Sequence, residues 1–139
     1  MNYQKLFVAI MLMGAASFTA CNHLSSKAQE MIGDYYLTAV SENEPVMELK
    51  ADGSCTVHAI KPGIMSYTVN GEWNVNADSL IIQTDGKVAS LEGDTSVVRI
   101  GTIPSRMSYA ITDFTGLTLT LNQEGNDYQY QRRGHMEKE

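Results

Sequence analysis

The sequence is poor in basic residues, in cysteine and in large rings. It holds 10 Lys and Arg against 16 Asp and Glu, a formal net charge of −6. Nucleic-acid binding rests on clustered positive charge, so this balance argues against a DNA or RNA partner. It argues equally against adhesion to anionic lipid through a polybasic face. Two Cys exclude a disulfide framework and a multi-Cys zinc site. No Gly-rich phosphate loop is present. What is there suffices for one packed domain: 139 residues, 43% of them hydrophobic.

The apolar residues are unevenly spread. After Met1-Asn2-Tyr3-Gln4-Lys5 comes an unbroken run, Leu6 to Ala16, then Ser17-Phe18-Thr19-Ala20-Cys21. A short cationic start, a short apolar run and small residues describe a secretory signal. The run is too short to span a bilayer comfortably. Phe18-Thr19-Ala20-Cys21 resembles the lipobox of bacterial lipoproteins. The resemblance implies cleavage before Cys21, lipidation of Cys21 and a membrane anchor there. Several acyl chains, each contributing about 0.8 kcal/mol per buried CH₂, anchor where one does not. Residues 1–20 are thus expected to be a leader, and residues 21–31, polar and mostly small, a tether. No acidic run follows Cys21; such runs resemble surface-export signals, so the expected address is the outer membrane, facing the periplasm. Without Lys5 the formal charge becomes −7, and Phe114 and Trp73 are the last of their kinds.

From residue 33 the hydrophobic period is two, the mark of half-buried strands. Met47 and Leu49 alternate with Glu48 and Lys50, and Ala51-Asp52-Gly53-Ser54 supplies a hairpin turn. Pairing Leu49 with Cys55 puts Cys55, Val57 and Ala59 on the inner face and His58 outside. Tyr67, Val69, Gly71, Trp73 and Val75 share one face. Leu80 and Ile82 return; later come Met107, Tyr109 and Ile111, then Leu117, Leu119 and Leu121, then Tyr128 and Tyr130. Gly33 to Val40 reads as the first strand, and Lys87 to Arg106 as one or two strands joined by a loop. Residues 24–32 are expected to form at most two helical turns. About eight short strands with turn chemistry between them imply an all-β, up-and-down antiparallel barrel over residues 32–133, followed by a polar tail, 134–139.

The stretch from Ala28 to Arg133 resembles the small lipocalin-like domains of bacterial lipoproteins. The carrying pieces are Ile32-Gly33-Asp34-Tyr35, the segments Glu48–Ser54 and Gly71–Ile82, and Leu117–Leu121 followed by Tyr128–Arg132. The resemblance implies an eight-stranded, calyx-like barrel. It also implies a late Arg packed over an early aromatic at the closed end: Arg132 over Tyr35, with Arg133 an equal candidate.

Chemistry is sparse. His23 falls in the tether, His135 in the tail and His58 on an outward strand face, so no nucleophile has a base in reach. Cys55 reads as inert packing, and a lipidated Cys21 leaves it no partner. Glu42, Glu44, Asp78, Asp85, Glu92 and Asp94 read as solvated turn residues. The expectation is no enzyme, no cofactor and no metal. Binding falls to the inner face, where Tyr67, Trp73, Tyr109 and Tyr130 are expected to line a site for a small apolar or amphipathic ligand. The alternative is a filled barrel, acting as an interaction module through the acidic loop Ser41–Glu44 or the segment Lys87–Arg106.

Overall fold

The computed structural model describes residues 23–94, 96 and 99–133. The expected leader, Cys21 and the tail 134–139 lie outside the described residues. Nine strands follow one short helix: α1 (Ser26–Glu30), β1 (Gly33–Tyr36), β2 (Met47–Leu49), β3 (Ser54–Lys61), β4 (Met65–Asn76), β5 (Ser79–Thr84), β6 (Ser90–Gly93), β7 (Arg106–Phe114), β8 (Thr118–Gln123) and β9 (Asn126–Arg133). Each strand except β6 pairs antiparallel with its chain neighbours, β5 with β7 across β6, and β9 pairs back onto β1. The result is a closed, eight-stranded, up-and-down antiparallel barrel with β6 as an additional strand. Closure removes the free edges that an open sheet would expose.

The hairpins follow from their turns. Leu49 pairs with Cys55, as the Ala51–Ser54 turn requires, and Gly53 takes the left-handed conformation with φ 91°. Asp52 fixes that turn by accepting from the Ser54 amide and hydroxyl (2.9 and 2.7 Å). Between Ile111 and Asp113 the β7–β8 register shifts by a bulge, which lets Phe114 pack against the core as well as Ile111.

β4 is longer than its neighbour. Its second half, Gly71–Asn76, pairs with β5, and its first half, Met65–Thr68, pairs with β6. Gly71 stands where β5 hands over. A Cβ there would run into the Gln83 carbonyl oxygen, so glycine serves the close approach of two backbones.

The core fills the end of the barrel that holds α1. Tyr35, Leu49, Cys55, Trp73, Leu80 and Leu119 are buried there. The Trp73 indole Nε1 donates to the Lys50 carbonyl oxygen (2.9 Å), and the Tyr35 hydroxyl donates to the Met31 carbonyl oxygen (2.7 Å). A five-residue helix cannot hold itself. Ser25 caps it, its Oγ accepting from the Ala28 amide (3.2 Å), and Leu24, Ala28 and Met31 are buried in the core. From Leu24 onward, then, the expected tether is part of the domain.

Arg132 binds this end, though with other partners than expected. Its Nε and Nη2 donate to the Ile32 carbonyl oxygen (3.0 and 2.5 Å), and its Nη1 donates to that of Gly116 (2.9 Å). Its guanidinium lies over Phe114, 5.7 Å from the ring centroid, not over Tyr35. Arg133 covers Tyr36 at 4.1 Å. The Tyr35 ring is wholly buried, with its hydroxyl bonded to the Met31 carbonyl at the end of α1. Leu117, before β8, and Tyr128, on β9, were expected inward and are exposed.

Candidate functional site

At the other end the barrel is not filled. A partly open cavity of about 230 Å³ lies among the β1–β2 connection, β3, β5, β7, β8 and β9. Leu37, Val40 and Val46 come from the connection, Val57 and Ile60 from β3, and Ile82 and Met107 from β5 and β7. Val57, Ile82, Met107 and Tyr130 reach the cavity from inward positions of their strands, while His58 and Ile60 reach it from the other face of β3, near the strand's end.

The polar groups are few. Tyr109 and Tyr130 line the cavity, with Gln123 on the intervening strand. The Gln123 side-chain Nε2 donates to the Tyr130 hydroxyl (2.8 Å), and the Tyr109 hydroxyl donates to the Met107 Sδ (3.2 Å). Burial pushes Tyr130 up to about 12 and raises Tyr109 as well. Both phenols therefore stay protonated at neutral pH and keep their hydrogen-bond donors.

His58 borders the same cavity and is held on both sides. Its Nδ1 lies 2.9 Å from Glu44 Oε2 and its Nε2 lies 2.6 Å from Glu48 Oε2. Its side chain is only 10% exposed, so the expected surface histidine is a bracketed one. The contact ties the β1–β2 connection to the wall. Backbone bonds reinforce it: the Val46 amide donates to the Tyr35 carbonyl oxygen (2.8 Å), and the His58 amide donates to that of Val46 (2.9 Å).

The four aromatic residues expected at a site divide evenly. Tyr109 and Tyr130 meet at the cavity. Trp73 lies in the closed-end core, with its indole N–H bonded to Lys50. Tyr67 is half-buried on β4, opposite Ala59 on β3 and Leu91 on β6, and away from the cavity. All four occupy inward positions by parity. Parity gives the face of a strand but not the height along the barrel, and height separates them. Cys55 is buried at the core, and burial pushes its thiol up to about 12.

Val57, Ile82 and Met107 were placed inward by alternation; Leu37, Val40, Val46 and Ile60 and the His58 bracket lay beyond the sequence reading. A partial signal existed for Glu48 and His58. With Leu49 paired to Cys55, Glu48 faces Thr56, and His58 stands two residues further along the same face. Nothing in the pattern located Glu44, which comes from an irregular connection.

No protein-family model, no curated protein and no solved structure matches this chain. The functional reading rests on the cavity and on the sequence of the N-terminus. What the cavity can do chemically is hold an apolar body of modest size and offer it a few hydrogen bonds. A 150 Å³ apolar cavity suffices for benzene, so about 230 Å³ admits a ring with a short substituent.

Proposed function

We propose that this protein is a lipid-anchored, lipocalin-like barrel of the bacterial cell envelope, held by Cys21 in the outer membrane facing the periplasm, and binding a small apolar or amphipathic molecule at its open end. The observation that carries the binding reading is the apolar cavity beside Tyr109 and Tyr130. Ligand sites are typically concave and mostly apolar, with a few placed polar groups. The anchor rests on Phe18-Thr19-Ala20-Cys21 and the apolar run before it.

Two experiments test the two halves. Cys21→Ser should move the chain from the membrane fraction to the soluble fraction; persistence in the membrane contradicts the anchor. Met107→Trp should fill the cavity. Native mass spectrometry should show small apolar compounds retained by the unaltered barrel and lost from the filled one. Equal retention by both refutes binding at this cavity.

A second reading, an interaction module without a ligand, is favoured by one observation. Ile64, Val88 and Leu91 are exposed at the rim, and among the described residues β6 pairs with β4 alone. An unpaired strand edge beside apolar side chains suits strand addition by a partner. Leu91→Asp combined with Ile64→Asp should abolish cross-linking to that partner in membranes, while Met107→Trp should leave it intact.

A further inference from the structure

The lining of the open-end cavity is specific about charge. Of its twelve residues none is Lys, Arg, Asp or Glu. An anion entering it would lose its water without meeting a cation, a cost of several kcal/mol. His58 cannot serve as that cation, because both of its ring nitrogens are engaged by Glu44 and Glu48. A cationic ligand fares no better, since those two carboxylates are turned onto the imidazole and neither lines the cavity.

The hydrogen-bonding groups have a direction. The Tyr130 oxygen accepts from Gln123, and among the described hydrogen bonds its own proton has no acceptor. The Tyr109 proton goes to a thioether sulfur, a weak acceptor that a better one displaces at little cost. Beside the Gln123 side-chain oxygen, the cavity thus offers two hydroxyl donors, which suit an oxygen acceptor on a ligand. Leu37, Val46, Ile82 and Met107 supply apolar surface for the rest of the molecule.

We propose that this cavity selects a compact, uncharged carbonyl compound, with its oxygen accepting from Tyr109 and Tyr130 and its apolar body against Val46, Ile82 and Met107. The inference rests on the ligand-binding reading and names the class of ligand. It disfavours carboxylates and amines whose charge would sit inside the cavity.

Met47 and Met107 both line the cavity, so carbon-labelled methionine methyl groups report occupancy by NMR. Four probes of similar size separate the possibilities on the purified Cys21→Ser chain: acetophenone, ethylbenzene, benzoate and benzylammonium. Acetophenone should shift both methyl signals and bind about tenfold more tightly than ethylbenzene, the usual worth of one well-made hydrogen bond. Benzoate and benzylammonium should bind more weakly than either. Tyr109→Phe should bring acetophenone down toward ethylbenzene, and the ligand-free methionine methyl spectrum certifies the fold. Benzoate or benzylammonium binding as tightly as acetophenone overturns the selectivity and leaves cavity binding standing. Equal binding of acetophenone and ethylbenzene overturns the donor assignment. Silence of both methyl groups toward all four probes overturns the cavity as a binding site, and the selectivity with it. The ranking on the tyrosine-intact chain decides the question even if Tyr109→Phe does not fold.

Discussion

Arg132 ties two separate segments of the closed end together. Three of its N–H groups reach two backbone carbonyls, one before β1 and one in the β7–β8 turn. These segments are far apart in sequence, and the guanidinium fork joins them with a geometry that an ammonium cannot reproduce. Arg132→Ala should lower the unfolding free energy by about 2–3 kcal/mol, since hydrogen bonds to charged groups are worth more than neutral ones and two carbonyls lose their partner. Arg132→Lys should recover less than half of that loss. Urea denaturation of the three proteins checks it, and full rescue by Lys refutes the fork argument. The contact also shows how far residue-level reading reaches. A late Arg at the closed end was legible. Its aromatic partner was not, because Phe114 comes after a bulge in β7 that strand alternation does not show. Cys55 was legible outright: its inward position between small residues places it in the core.

At the scale of elements, alternation located eight of the nine strands, and turn chemistry set their pairing. Turn residues such as Asp52-Gly53 and Asp85-Gly86 carry that information locally. β6 falls where one or two strands were expected between Lys87 and Arg106, but it is short, exposed on every residue and without alternation, so its bounds come from its pairing with β4. Alternation put Gly71 on the inner face of its strand, and the close approach of β4 and β5 gives the reason for a glycine there. Gly71→Ala should therefore separate the two backbones at Gln83 and cost about 2–4 kcal/mol, in the range of the severe single substitutions. A loss below about 1 kcal/mol, read from the denaturation midpoint, would show that the strands part freely there. The β1–β2 connection makes the opposite case. By sequence Glu42 and Glu44 read as solvated turn residues, yet Glu44 reaches His58 and the Val46 backbone bridges β1 and β3. Removing the bracket with Glu44→Ala should loosen the connection by about 1 kcal/mol, discounted for the exposure of the carboxylate. Hydrogen exchange at the Val40, Ser41 and Val46 amides should quicken about fivefold, with β8 and β9 unaffected. Uniform quickening across the barrel would mean that the pair supports the whole fold and not this connection.

For the whole molecule, the two ends of the barrel differ in content, yet both respond to alkaline pH. Groups raised by burial lie at both: Tyr35 and Cys55 in the filled end, Tyr109 and Tyr130 at the cavity. Each ionises at lower pH in the unfolded chain than in the folded one. Below the ordinary thiol value of 9.0 both states hold the proton, and these groups give no pH dependence. Above it the unfolded chain releases protons that the folded chain retains, so the unfolded state binds fewer and stability falls as pH rises. The loss begins with Cys55 near 9, is joined by the tyrosines from 10.0, and continues toward about 12, where Cys55 and Tyr130 ionise in the folded barrel. Each group adds a slope of about 1.4 kcal/mol per pH unit within its window. Cys55→Ala should delay the onset by about one pH unit, whatever packing it loses at neutral pH, because it removes the group whose unfolded value is lowest. Tyr130→Phe should leave the onset in place and flatten the slope above it. Urea midpoints taken from about pH 7 to pH 11 separate the two variants. An onset unmoved by Cys55→Ala would mean that Cys55 is not what starts the alkaline loss, and would leave the loss to the tyrosines alone.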